Sequence, residues 1–142
     1  MRCWRPARCP GSRGWSATER AQQIAACGET EVLVTSYDLL KRDIAEYEGK
    51  KFRFVVADEA QYIKNHNTAA AKSVKLIRGV TKYALTGTPI ENSLSELWSV
   101  FDFLMPGFLY EYETFRREYE IPITKNHDEE ISGRLARMIT PF

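Results

Sequence analysis

Cysteine is scarce in this chain. Cys3, Cys9 and Cys27 are odd in number, and no two stand in C-x-x-C spacing. This argues against a disulfide framework and against a zinc site, and reads instead as free thiols in a reducing compartment. Histidine is scarcer still. His66 and His127 have no Cys or His at ligand spacing, so neither supports a metal centre. No apolar run approaches the roughly 20 residues that a membrane-spanning helix needs. Charge of one sign is also missing: 20 Lys and Arg against 19 Asp and Glu leave a formal net charge of +1. Contact with nucleic acid must then come from a local patch, not from a whole-chain field. Finally, no G-x-x-x-x-G-K-[ST] occurs, so these 142 residues hold no Gly-rich phosphate cradle.

What remains is a 44% hydrophobic, 27% charged chain with the size of one ordinary domain, or of a piece of a larger one. Such a composition argues against disorder over most of its length. Residues 1–15 differ from the rest. They carry Arg2, Arg5, Arg8 and Arg13, no acid precedes Glu19, and Pro6, Pro10, Gly11 and Gly14 break any period. The segment reads as an irregular leader, artefactual or faintly similar to an organellar transit peptide. It lacks the apolar centre of a secretory signal.

From Ser16 onward, helices and strands alternate. Ser16-Ala-Thr-Glu19 is a capping box for a helix to about Ala26, ended by Gly28. Glu31–Thr35 has the length and composition of a strand. Ser36 caps a helix whose Tyr37, Leu40, Ile44 and Tyr47 share a face, closed by Gly49. Phe52–Ala57 is apolar at nearly every position, as a strand covered on both faces should be. A helix from Asn67 or Thr68 to Arg78, stopped by Gly79, leads to a third strand, Lys82–Thr86. Ser93-Leu-Ser-Glu96 is a second capping box, before a helix that Pro106-Gly107 ends. Trp98, Phe101 and Phe103 in that helix read as core, not as a base-stacking platform. Two further helices are expected near Glu111–Tyr119 and Asp128–Ile139. The class is α/β: a parallel sheet with flanking helices and a C-terminal helical extension.

In such sheets chemistry gathers at the carboxyl ends of the strands. Three polar clusters follow strands directly: Thr35-Ser36, Asp58-Glu59 and Thr86-Gly87-Thr88. They are expected to converge on one sheet edge. A carboxylate there can hold a hydrated magnesium ion, and a second can orient or deprotonate a water. The same residues also suit turns and caps.

The longer strings narrow the choice. Asp58-Glu59-Ala60-Gln61 is followed by Tyr62-Ile63-Lys64-Asn65, and later by Leu85-Thr86-Gly87-Thr88-Pro89-Ile90-Glu91-Asn92. With Val34-Thr35-Ser36-Tyr37 and the run Leu94–Gly107, they resemble the Swi/Snf family of helicase-like DNA translocases, superfamily two, with a bacterial-type Asp-Glu-Ala-Gln. The resemblance implies a partial first RecA-like (P-loop NTPase) lobe over residues 16–142, without its Walker A strand. It implies ATP and Mg2+ as the complete motor's cofactors. Asp58 would hold the metal through water, Glu59 would be the catalytic base, and Gln61 would contact the nucleotide or link it to motif III. Thr86, Gly87 and Thr88 would couple hydrolysis to lobe movement.

Thr35 and Ser36 either donate to DNA phosphates or simply cap the next helix. Lys64 and Asn65 face DNA or steady the loop after Walker B. The implied partners are double-stranded DNA, proteins bound on it and a second helicase lobe, in a bacterial, nucleoid-associated cytoplasm with no membrane. Without Walker A and that lobe, the 142 residues alone are expected not to hydrolyse ATP, and the Lys82–Thr86 strand is expected to show an unpaired apolar edge. Two alternatives are a non-catalytic DNA- or protein-binding module and a truncated remnant.

Overall fold

The computed structural model describes residues 16–87 and 93–140. The leader over residues 1–15 and the expected site residue Thr88 lie outside that range. The chain divides into two compact units, Met1–Val55 with Asn67–Thr81, and Val56–His66 with Lys82–Phe142.

In the first unit, helix α1 (Ala17–Ala26) starts where the capping box places it. The Glu19 amide donates to the Ser16 hydroxyl at 3.3 Å, and the Ser16 amide donates to the Glu19 carboxylate at 2.7 Å. Helix α2 (Tyr37–Asp43) is capped by Ser36, whose hydroxyl accepts from the Leu39 amide, and tightens into a 3-10 turn at Ile44–Tyr47. Gly49 then turns the chain at φ 78°, a conformation that favours glycine. Arg20 and Asp43 tie α1 to the end of α2 through a buried two-pronged ion pair, 2.6 and 2.8 Å. Helix α3 (Ala69–Leu76), capped by Thr68, packs against α2. Ile24, Leu40, Tyr47, Ala71 and Val74 are buried in this unit.

The expected strand Glu31–Thr35 does not form. One bridge residue, Leu33, remains, and Val32 and Val34 are exposed. An extended segment keeps its backbone bonds only against a neighbouring strand. Among the described residues the sheet has two strands, β1 (Lys51–Ala57) and β2 (Arg78–Ala84), which lie in parallel. Strand β2 begins four residues before its expected start, and α3 ends before Arg78. Ile77, Val80 and Thr81 are β-branched and pull the backbone into the extended form, so Gly79 sits inside a strand instead of stopping a helix. Cover on both faces of β1 is not found either: Phe54 and Val56 are 55% and 56% exposed.

In the second unit, helix α4 (Leu94–Leu104) runs as expected to a break before Pro106. Its capping box is half made. The Glu96 amide donates to the Ser93 hydroxyl, but the Glu96 carboxylate pairs with Lys64. Helix α5 (Tyr112–Phe115) passes through a π-type turn, Arg116–Glu120, into α6 (Ile121–Asn126). The helical run therefore outlasts the expected end at Tyr119. Pro122 does not stop it, and stands directly after the π-type turn, where the regular backbone ladder is already interrupted. Helix α7 (Glu129–Ile139) forms where a helix is expected, and Asp128 caps it. Trp98, Phe101, Leu109, Phe115, Tyr119 and Leu135 form the core of this unit. Phe103 is fully buried as well, so the α4 aromatics are core, as the sequence indicates.

Candidate functional site

Strand β1 ends in the buried Ala57, and the next two side chains, Asp58 and Glu59, are exposed. The Glu59 amide donates to Asp58 Oδ1 at 3.0 Å. Glu59 itself is left-handed, φ 51° and ψ 54°, and caps a 3-10 turn over Ala60–Ile63. A non-glycine residue held there costs on the order of 1–3 kcal/mol. The pairing of the strand ends helps hold it: the Leu85 amide donates to the Ala57 carbonyl and the Ala60 amide to the Leu85 carbonyl, both at 2.8 Å.

Gln61 joins the two strand ends through its side chain. Its Nε2 donates to Glu59 Oε2 at 2.5 Å, and its Oε1 accepts from Thr86 Oγ1 at 3.1 Å. The amide therefore has a defined orientation, donor toward the carboxylate and acceptor toward the hydroxyl. Glu59, Gln61 and Thr86 form one bonded row. Gly87 follows in the loop, where a Cβ would meet nothing within 4 Å. No close approach among the described residues demands glycine there.

Two of the three expected clusters are thus brought together. Thr35 and Ser36 belong to the first unit and are engaged within it. Ser36 caps α2, and the Thr35 side chain lies beside the Tyr47 hydroxyl. Burial of Tyr47 raises its phenol above the usual range, which the neighbouring Thr35 side chain partly offsets. Lys64 pairs with Glu96 at 3.0 Å, and Asn65 is exposed beside it.

Among the described residues no three His, Cys, Asp or Glu side chains gather as a direct metal-ligand set. A magnesium ion does not need one, since it keeps several waters and takes one or two carboxylates plus substrate phosphates. Asp58, exposed at a strand end, fits that donor chemistry.

Two side chains near the site escaped the sequence reading. Ser99 is fully buried in α4 and donates to the Ile63 carbonyl at 2.7 Å. Glu96 reads locally as a cap, yet its partner lies 32 residues away, a separation at which spacing carries no signal.

Comparison with known proteins gives consistent matches. The model of the SNF2-related domain matches residues 12–142. An uncharacterized ATP-dependent helicase of Mycoplasma genitalium, MG018, is 42% identical over 124 residues, which cover 87% of this chain and 12% of that protein. The human TATA-binding protein-associated factor 172 is 39% identical over 136 residues, covering 88% of this chain and 7% of its own length. The Sulfolobus solfataricus SWI2/SNF2 ATPase core in complex with double-stranded DNA superposes with a TM-score of 0.73 at 39% identity, covering 80% of this chain and 24% of the solved one. The chain therefore spans about an eighth or less of these curated relatives and a quarter of the solved core.

Proposed function

The chain belongs to the SNF2-related family, a family of ATP-dependent helicases, and from that premise we propose that it forms the Walker B and motif III part of an ATP-driven translocase on double-stranded DNA. The observation that carries this reading is the bonded row Glu59–Gln61–Thr86. It gives a physical link between the carboxylate that would act on water and the strand end that would transmit the event.

In the complete motor, Asp58 would hold magnesium through water, and the ion would neutralise charge on the terminal phosphates. Glu59 would accept a proton from the attacking water as the terminal phosphoryl group leaves ADP. Gln61 would fix the carboxylate's orientation. Loss of that bond would release Thr86, Gly87 and Thr88 to pass the change to the second lobe. Thr35 and Ser36 would meet DNA phosphate oxygens, contacts that position without reading sequence. Lys64 and Asn65 fit better as loop supports than as DNA contacts, because the Lys64 ammonium is already paired.

The partners proposed are double-stranded DNA, as in the solved Sulfolobus complex, and proteins bound on DNA, as the human relative's name implies for that protein. The place proposed is a bacterial, nucleoid-associated cytoplasm.

The test is a chimaera in which the matching segment of the Sulfolobus core is replaced by this chain's residues. Thr86→Ala and Gln61→Ala should each lower DNA-stimulated turnover, and the double variant should be no worse than the poorer single one. Additive losses would mean that the row does not act as a unit. DNA binding with no ATP turnover in the parent chimaera would favour the binding-module reading.

A further inference from the structure

The turn that carries Glu59 is too short to hold itself. It spans four residues, with internal bonds of 3.0 Å (Tyr62 amide to Glu59 carbonyl) and 3.4 Å (Lys64 amide to Gln61 carbonyl). Such 3-10 turns have poor hydrogen-bond geometry, and this one begins at a strained left-handed residue. Its entrance is fixed by the Ala60–Leu85 bond described above. Its exit is fixed by α4. Ser99 Oγ donates to the Ile63 carbonyl at 2.7 Å with Ser99 fully buried, and Lys64 Nζ meets Glu96 Oε1 at 3.0 Å. Glu96 and Ser99 stand three residues apart on α4, hence on one face of it. Two polar groups of a helix whose buried residues are mostly aromatic or aliphatic are aimed at consecutive residues of one turn. The His66 ring, two residues on, lies against Tyr112 (centroids 4.1 Å apart) and edge-on to Trp98 (5.5 Å).

We infer that Ser99 and the Lys64–Glu96 pair are positioning residues that lock the exit of the Ala60–Ile63 turn and thereby hold Glu59 in its left-handed, Gln61-bonded geometry. The inference rests on the hydrolytic reading of Glu59 for its consequence, but not for its geometry. Ser99 acts by satisfying a buried carbonyl that would otherwise pull away toward water. The ion pair acts by fixing the residue after it. Both work through the turn, and neither would touch nucleotide.

The geometry is tested by amide hydrogen exchange on the full 142-residue chain. Ser99→Ala should speed exchange of the amides of residues 60–64 about tenfold, with α7 amides unchanged as an internal reference. Lys64→Met and Glu96→Gln should each give about a threefold effect, and the double variant no more than either. The swapped pair, Lys64→Glu with Glu96→Lys, should restore protection. Lys64 and Glu96 are both partly exposed, which keeps the test open if Ser99→Ala fails to fold. Unchanged exchange at residues 60–64, or faster exchange spread evenly over α4–α7, overturns the inference.

The consequence is tested in the chimaera, where Ser99→Ala and Lys64→Met should lower kcat at unchanged KM for ATP. Glu59→Gln is the control. If it leaves turnover intact, the hydrolytic reading fails and the exchange result stands by itself. If it abolishes turnover while Ser99→Ala and Lys64→Met leave kcat intact, positioning alone is overturned.

Discussion

Glu59 combines a chemical group with an unfavourable backbone. At φ 51° a glycine would sit without penalty. Glu59→Gly should therefore raise the stability of the chain by about 0.5–1 kcal/mol in denaturant unfolding, while removing the carboxylate. An equal or lower midpoint would mean that the Gln61 bond outweighs the strain. The identity of Glu59 was readable from Asp-Glu-Ala-Gln, but its backbone was not, because a left-handed glutamate is set by the partners around it. The same limit applies to Lys64. Beside Asn65 it reads either as a DNA contact or as a support for the loop, and its ion pair with Glu96 emerges only when α4 folds back on the turn.

At the scale of elements, local chemistry was the most readable. Ser16, Ser36, Thr68 and Ser93 all cap the helices that their positions announce. Ser93→Ala should cost about 1 kcal/mol through the lost Glu96 amide bond, measured by chemical unfolding. Strands were less readable, since β pairing depends on neighbours. Glu31–Thr35 has the composition and no ladder, and Gly79 has the look of a stop and sits within β2.

The α1–α2 contact carries a pH signature. The Arg20 guanidinium bonded to Asp43 holds that carboxyl below its usual range. A depressed folded value means that this stabilisation is complete above the unfolded value of about 4 and is lost as pH falls through the folded one. The unfolding midpoint should stay level from neutral pH to about 5 and drop below about 4. Asp43→Asn should lower the neutral-pH midpoint and flatten that drop. An unchanged acid limb would remove Asp43 from the account. In the second unit, Phe115→Ala should cost about 3–5 kcal/mol, since Phe115 is fully buried among aromatic neighbours.

For the whole molecule, the exposed apolar strand residues have a consequence. Phe54, Val56 and Val80 stand in β1 and β2 with more than half of their surface open. Strands of this kind pair or aggregate. The chain should self-associate with rising concentration in sedimentation, and Phe54→Thr with Val80→Thr should reduce this. Monomeric behaviour at all concentrations would contradict the expectation. The α/β class and the paired Asp58-Glu59 and Thr86 ends were readable in the sequence because hydrophobic runs and strand-end residues are local. The number of strands in the sheet was not. The most direct test of the central claim is DNA-stimulated ATP turnover of the chimaeric core with and without Glu59→Gln. Glu59 as base predicts a loss of about 10²-fold or more with ATP binding retained. Turnover equal to that of the unsubstituted chimaera would contradict it.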